Sequence, residues 1–293
     1  MIRALFSAAL LACGLLPTAA AQNTDMSGEW HVWSLTTSTG PACTQFIGNE
    51  VIYNASLSQD ALGNLTGTVT NAASGALVAP VSGTVVGTQV TLSGTAFVGP
   101  TQTSFTYTMI APGGSGSISG GSTWTYTSGA GSCSGQDLVV ARRRHVSFCD
   151  ATDGACPCAN DPAAGTPGGC LNSTGQGAVL SESGIASLSG STLVFHVTGA
   201  RPSQPGMYLQ GGATVSLPFK DGRLCMGTPT ERLEVAFTDA AGNAVSTVDI
   251  AAAGNLFAAQ PLRYYQYWYR DPVISPCGTG SNFSNALEIS WLP

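Results

Sequence analysis

The sequence predicts an all-β protein in two parts, an eight-stranded up-and-down barrel over residues 25–145 and a disulfide-stapled β-sandwich over residues 146–293. Short runs of alternating Val, Leu, Thr and Tyr recur between Gly-rich turn signals, which is typical of short strands. No interval of helical length shows the 3.6-residue apolar period of an amphipathic helix. The eight cysteines after residue 21 also divide into even groups on either side of residue 145, as expected of two separately cross-linked domains.

Residues 1–21 have the anatomy of a secretory signal peptide. Arg3 supplies a positive start, residues 4–16 are apolar, and small side chains precede Gln22. The apolar segment is shorter than the ~20 residues of a transmembrane helix, and we predict no transmembrane segment elsewhere. We expect a protein that is secreted or held at the surface of a bacterial envelope. A lipobox-like sequence ending at Cys13 makes a lipoprotein the alternative.

In the first part, eight strand-like runs are separated by short turns. Several share a Gly-containing pattern, as in Leu65-Thr66-Gly67-Thr68 and Leu92-Ser93-Gly94-Thr95. Glycine inside a strand permits the bends of a tightly coiled barrel, and short turns throughout favour an up-and-down order. The predicted strands are 29–36, 50–58, 64–70, 76–84, 88–97, 103–110, 116–127 and 135–141.

Gly28-Glu29-Trp30, at the start of the first predicted strand, resembles the Gly-x-Trp opening of lipocalin-like barrels. In that family an arginine from the last strand packs over the tryptophan at the closed end of the barrel. The resemblance assigns this role to one of Arg142, Arg143 and Arg144. A barrel of eight strands either is filled by its own side chains, which is the simpler expectation, or holds one small ligand.

The second part opens with four cysteines between residues 149 and 170, where disulfides replace an apolar core. Turn signals such as Pro205-Gly206 and Asp221-Gly222 then separate short strands, a spacing typical of β-sandwiches. The predicted strands are 178–183, 191–199, 206–212, 231–238, 244–250, 262–270 and 285–291.

Motifs are spread over almost all of residues 148–293. They are Phe148-Cys149-Asp150, Cys156-Pro157-Cys158, Asn172-Ser173-Thr174-Gly175-Gln176-Gly177-Ala178, Phe219-Lys220-Asp221-Gly222-Arg223-Leu224-Cys225, Arg263-Tyr264-Tyr265-Gln266, Trp268-Tyr269-Arg270-Asp271-Pro272 and Ser284-Asn285-Ala286-Leu287. Together they resemble an uncharacterised Cys-rich C-terminal module of secreted proteins from planctomycetes and related environmental bacteria. The resemblance implies export and a β fold, and it assigns no catalytic residues.

Eight cysteines remain once Cys13 leaves with the signal peptide, and an even number in an exported chain predicts disulfides. Two lie in the first part, so a Cys43–Cys133 bridge is nearly forced. In the second part we expect a long-range Cys225–Cys277 bridge, with the other four pairing locally, although six cysteines allow many pairings. The predicted disulfide cysteines are Cys43, Cys133, Cys149, Cys156, Cys158, Cys170, Cys225 and Cys277.

A metal site is the alternative interpretation of the cysteine cluster. Cys156-Pro157-Cys158 is one residue tighter than the knuckles of zinc ribbons, and residues 150–154 lack the further carboxylates of a calcium loop. No P-loop, dinucleotide-binding glycine set, HExxH or EF-hand occurs. We therefore predict disulfides, with no metal and no cofactor.

The most aromatic strand candidate runs over residues 262–270. Alternation places Tyr265, Tyr267 and Tyr269 on one face and Trp268 on the other. If the Trp268 face is the core, the three tyrosines form an exposed ladder that can stack on sugar rings. Ordinary sheet packing by aromatics that favour strands is the alternative, and the favoured one.

Composition and motifs point away from nucleic-acid binding and from known catalysis. The net charge is −6, whereas phosphate binding needs a clustered positive surface, and we interpret the basic run 142–145 as a strand end and linker. No Gly-x-Ser-x-Gly motif and no outstanding carboxylate pair occurs. We expect a non-catalytic exported protein that is structural or binds a small apolar ligand or a glycan. The alternative is a secreted hydrolase with an unrecognised carboxylate site.

Overall fold

The computed structural model describes residues 23–112, 116–151, 154–257, 262–272 and 274–293. The predicted signal peptide and Cys13 lie outside these residues. The described chain is all-β and consists of a closed barrel followed by two further sheets, as predicted. No helix in this part of the chain is long and apolar enough to cross a bilayer.

The first eight strands form a closed antiparallel barrel in which sequence neighbours pair and the last strand pairs with the first. Each of the eight predicted strands overlaps the observed one, because alternation and turns are local signals. The strands are β1 Gly28–Thr39, β2 Glu50–Gln59, β3 Asn64–Asn71, β4 Leu77–Val86, β5 Gln89–Val98, β6 Thr101–Ile110, β7 Ser117–Ser128 and β8 Gly131–Arg143.

One end of the barrel is closed by the segment before β1. Met26 is buried there, and its carbonyl oxygen accepts a 2.9 Å hydrogen bond from the Trp30 indole. The Arg143 guanidinium lies 4.9 Å from the centre of the Trp30 ring, close enough for a cation–π contact. It also donates to the backbone oxygens of Ser27 and Asp25 at 2.6 and 2.9 Å. This is the arginine–tryptophan contact that the Gly-x-Trp resemblance implies.

The remaining strands form two sheets of three and five strands, in the orders β10-β11-β14 and β13-β12-β15-β16-β9. Buried aromatic and aliphatic side chains from both sheets form one core, which makes this region a β-sandwich. The elements are β9 Val146–Phe148, β10 Val179–Ser183, β11 Val194–Thr198, β12 Pro205–Phe219, β13 Gly222–Phe237, β14 Ala244–Val245, α1 Ile250–Ala253, β15 Leu262–Arg270 and β16 Ser281–Ser290.

Three predicted strands of the sandwich differ from the structure. The strands predicted at 206–212 and 231–238 are parts of one long hairpin, which continues to a tight turn at Lys220, whose φ is 61°. The strand predicted at 244–250 has two residues and is followed by α1. Asp249 ends the extended segment because its carboxylate accepts hydrogen bonds from the first amides of that helix, at 2.9 and 3.2 Å.

All eight predicted cysteines are paired, and the Cys43–Cys133 bridge is confirmed. The predicted Cys225–Cys277 bridge is wrong, and of the clustered cysteines only Cys156 and Cys170 pair with each other. The observed long-range bridges are Cys149–Cys225 and Cys158–Cys277.

The reason for the different pairing is the path of the long hairpin. Its tip folds across β15 and β16, where Gln266 accepts from the Cys225 amide at 3.1 Å and donates to the Arg223 carbonyl at 2.9 Å. This fold-back places Cys225 beside Cys149, which cysteine spacing does not encode.

The basic run after β8 is taken up by structural contacts. Arg142 donates to Ser117 on β7, and Arg143 binds the closed end of the barrel as described above. Arg144 and His145 both contact one carboxylate oxygen of Glu182 on β10, each at 2.8 Å. The run therefore joins the barrel to the sandwich, in agreement with its interpretation as a strand end and linker.

Candidate functional site

The open half of the barrel encloses a cavity of about 230 Å³. This exceeds the ~150 Å³ of an engineered cavity that binds benzene, and it falls below the ~300–1,000 Å³ of sites for drug-sized ligands. The lining residues are Ser34, Thr36, Phe46, Asn49, Val51, Tyr53, Val69, Val78, Ala96, Thr103, Phe105, Tyr107, Ser122, Trp124, Tyr126 and Asp137.

The floor of the cavity separates two different barrel interiors. Tyr53, Val69 and Tyr107 line both the cavity and a void of only about 20 Å³ beneath it. Below the floor, apolar side chains such as Trp30 and Leu57 form a continuous core that fills the closed half. The barrel is therefore filled in its closed half and hollow in its open half. From the sequence we expected either a filled barrel or a barrel that holds a ligand, and not a combination of the two.

Aromatic rings form much of the cavity wall. Phe105 lies 5.3 Å from Tyr107 between ring centres, and Phe46 lies 6.0 Å from Trp124 in an edge-to-face arrangement. Trp124 lies against Gly135 of β8, where a Cβ atom would overlap with the indole. Glycine at this position therefore allows the Trp124 ring to lie flat on the neighbouring strand and face the cavity.

A single carboxylate, Asp137, lies in this wall. It is half-buried and accepts hydrogen bonds from three side chains that line the same cavity. The Ser34 and Ser122 hydroxyls both donate to Oδ2 at 2.9 Å, and the Trp124 indole donates to Oδ1 at 2.8 Å. The donors come from β1 and β7, the two strands that flank Asp137 on β8. The carboxylate is thus held in a fixed orientation by its own barrel.

The electrostatic environment of the cavity is negative. No lysine or arginine occurs between Arg3 and Arg142, so the whole barrel wall above the closed end lacks permanent cations. Burial raises the pKa of the Tyr53 phenol, and the nearby charge of Asp137 raises it further. The same two causes, together with Tyr53 itself, raise the pKa of Tyr107. Both phenols are therefore neutral hydrogen-bonding groups at physiological pH.

The mouth of the cavity is partly covered by the 3₁₀ helix Pro41–Phe46, which packs against β1 and β8. Cys43 in this helix is buried and bonded to Cys133 on β8. The Phe46 ring at its end reaches into the cavity lining, 6.0 Å from Trp124 and 6.3 Å from Tyr126. The barrel disulfide therefore fixes one aromatic wall of the cavity in place.

The tyrosines predicted to form a sugar-binding ladder lie elsewhere. Tyr265, Tyr267 and Tyr269 are 1%, 0% and 1% exposed, and they pack in the sandwich core against residues such as Phe195. It is Trp268 that lies on the outer face, stacked on Phe283. The favoured interpretation, ordinary sheet packing, is therefore confirmed, and the exposed ladder does not form because the apolar side chains of the second sheet cover the tyrosine face.

The sequence contains one signal for the cavity carboxylate, although no motif marks it. Asp137, Val139 and Ala141 alternate along β8, so they share one face of the strand. Val139 and Ala141 are buried in the apolar core. A lone carboxylate in register with buried apolar residues predicts either a buried partner or a cavity. Motif searches miss it because one acidic residue has no spacing pattern.

Other polar clusters in the described chain have structural explanations. Asp271 binds the amide and hydroxyl of Ser173, and Asp221 accepts from Thr279. The Ser183 hydroxyl lies 2.7 Å from the His196 ring, but none of the described carboxylates bonds to the other ring nitrogen, as a hydrolytic triad requires. No group of three or more metal-ligating side chains occurs among the described residues.

Comparison with known proteins gives no information on the chemistry of the cavity. No model of a known protein family, no curated protein and no solved structure matches this chain. The resemblances to lipocalin-like barrels and to the planctomycete module therefore remain expectations from the sequence.

Proposed function

We propose that this chain is an exported, non-catalytic binding protein that holds one small ligand in the open half of its barrel. The observation that carries the proposal is the contrast within a single barrel. Its closed half is packed with side chains, whereas its open half keeps a cavity walled by aromatic rings around a fixed carboxylate.

A purely structural barrel has no reason to keep such a cavity. Unfilled space in a core costs stability in proportion to its volume, and a half-buried carboxylate adds a desolvation cost. Binding sites for small molecules have this combination of apolar walls and a few placed polar groups. The volume suits a molecule of one or two rings rather than a glycan chain.

The proposed compartment follows from the cross-links and the predicted signal peptide. Four disulfides indicate an oxidising environment, because cytosolic reductants keep thiols reduced. Residues 1–21 predict export through the cell membrane. Release into the medium and anchoring through a lipidated Cys13 are two outcomes of the same export step.

The hydrolase alternative has less support. Glycosidases use two carboxyl groups roughly 5–10 Å apart. Among the described residues that line the cavity, Asp137 is the only acidic one. We therefore assign Asp137 a role in binding.

A cavity-filling variant tests the proposal. The protein is produced with its disulfides, and ligands are sought by mass spectrometry of an organic extract and by a thermal-shift screen of small aromatic compounds. Ala96→Phe places a ring in the cavity, whereas Thr91→Phe places one on the exposed outer face of the same strand. We expect Ala96→Phe to abolish binding and Thr91→Phe to leave it intact. Equal binding by both variants, or no ligand for the parent protein, contradicts the proposal.

A further inference from the structure

We infer that the ligand is a small organic cation, a protonated amine on an aromatic or short aliphatic body, whose ammonium group binds Asp137. The inference rests on the proposed function and specifies the ligand class for the same cavity. Three independent features of the cavity support it, namely the bonding of the carboxylate, the distribution of charge, and the chemistry of the walls.

The first feature is the unfilled bonding capacity of Asp137. A carboxylate offers about four acceptor positions. Ser34 and Ser122 take two on Oδ2 and Trp124 takes one on Oδ1, which leaves a position on Oδ1 for one further donor. Because three protein donors already fix the group, a ligand does not have to order it on binding, which favours affinity.

The second feature is the absence of a protein cation to neutralise this carboxylate. The lining residues include no lysine, arginine or histidine. The nearest cations along β8 are Arg142 and Arg143, which lie about 16–20 Å further along the strand and bind Ser117 and the closed end. Buried charges in proteins are normally paired. Here the partner has to come from the ligand.

The third feature is the aromatic wall. Cations are attracted to the faces of tryptophan, tyrosine and phenylalanine rings, and this attraction is stronger where water is excluded. Tyr53, Phe105, Tyr107 and Trp124 all line the cavity that contains Asp137. The same walls accept the apolar body of the ligand, whereas an anionic ligand meets the carboxylate at close range.

The test compares three probes of the same size and different charge. Benzylamine, benzyl alcohol and benzoate are titrated into the protein by calorimetry at neutral pH and low salt. We expect benzylamine to bind at least about tenfold more tightly than benzyl alcohol, as a charge-assisted hydrogen bond predicts, and benzoate to bind most weakly. Added salt should weaken the binding of benzylamine and leave the binding of benzyl alcohol unchanged.

Two variants locate the preference. Asp137→Asn removes the charge from the cavity and should bring the two affinities to within about threefold of each other. Glu50→Gln is the matched control. Glu50 lies near the same end of the barrel but outside the cavity lining, where it accepts a hydrogen bond from Trp33, so this variant should keep the preference for benzylamine over benzyl alcohol. If Asp137→Asn does not fold by circular dichroism, Asp137→Ser replaces it, and that variant should likewise lose the preference for the amine because the charge is gone.

The outcomes separate the inference from the proposed function. Alcohol binding as tightly as amine, or a preference that survives Asp137→Asn in a folded protein, overturns the inference and leaves a ligand-binding barrel. Failure of benzylamine to bind also overturns it, and the Ala96→Phe comparison then decides whether the barrel binds any ligand at all.

Discussion

Along β8 the barrel interior changes from core to site within two residues. Val139 and Ala141 are buried among apolar neighbours, whereas Asp137 faces the cavity and collects donors from two other strands. Alternation along a strand places these three residues on one face, but it does not show that the space around Asp137 stays empty. Cavity formation depends on side chains from several strands that fail to meet, and no local pattern records it.

Trp124 is both a wall of the cavity and a donor to Asp137, so its replacement by phenylalanine tests both roles. Trp124→Phe keeps a ring but removes the 2.8 Å hydrogen bond from the indole. We expect a loss of about 1 kcal/mol in the free energy of unfolding by urea denaturation. We also expect the change in tryptophan fluorescence on ligand binding to disappear. A change that persists in Trp124→Phe places the ligand near another tryptophan.

His31 predicts the pH dependence of stability near neutrality. Its side chain is 6% exposed, its Nδ1 has no hydrogen-bond partner among the described residues, and burial lowers its pKa. The unfolded chain therefore binds a proton at higher pH than the folded one. The stability that His31 contributes is full above a pH of about 6.5 and is lost as the pH falls through the folded value.

The measurement is the melting temperature of the parent protein and of His31→Gln between pH 8 and pH 5. The parent should lose stability on acidification, and His31→Gln should lose less over the same interval. Parallel curves for the two proteins rule out His31 as the group responsible.

Among the elements, the 3₁₀ helix Pro41–Phe46 has the most direct link to the site. Its disulfide to β8 closes a loop of 90 residues, and its last residue forms part of the cavity wall. Replacing Cys43 and Cys133 by serine should reduce stability by about 2–5 kcal/mol and also weaken ligand binding, because Phe46 is then no longer held.

The matched control is removal of the Cys156–Cys170 bridge in the sandwich, which lies outside the barrel. That variant should lose stability without a change in ligand affinity. If the barrel variant keeps full affinity as well, the helix has no part in shaping the site. Urea denaturation and calorimetric titration give the two readouts.

The sequence predicts the barrel strands better than the long hairpin of the sandwich, for a physical reason. The barrel strands were predicted because each depends on alternation within about ten residues and on a tight turn to its neighbour. The sequence did not predict the full β12–β13 hairpin or the bridge from Cys149 to Cys225. The tip of that hairpin is placed by contacts with Gln266, some forty residues away in the chain. The sequence left open which face of β15 is the core, because both faces of the strand are aromatic.

For the whole molecule, the junction of barrel and sandwich depends on Glu182. Its side chain is 1% exposed and bonds to Arg144 and His145, which follow β8 directly. Burial acts to raise the pKa of Glu182, but the contacts with His145 and Arg144 outweigh it and hold the value below its usual range. Its stabilising effect is therefore present above a pH of about 4.5 and is lost as the pH falls through the folded value.

Glu182→Gln should lower the melting temperature at pH 7 and reduce the loss of stability at acid pH. Because Arg144 is partly exposed and can be hydrated, the expected cost is about 1–3 kcal/mol, less than for a fully buried pair. Calorimetry should also show whether the barrel and sandwich then unfold in separate steps. An unchanged melting temperature means that the junction does not depend on this carboxylate.

A crystal structure of the protein grown with benzylamine would show whether the open half of the barrel binds a small cation at Asp137. We predict density for the ring between the aromatic walls, with the amine nitrogen about 2.7–2.9 Å from an Asp137 oxygen. A cavity occupied by the protein's own side chains, or a probe bound with its nitrogen away from Asp137, would rule out this binding site.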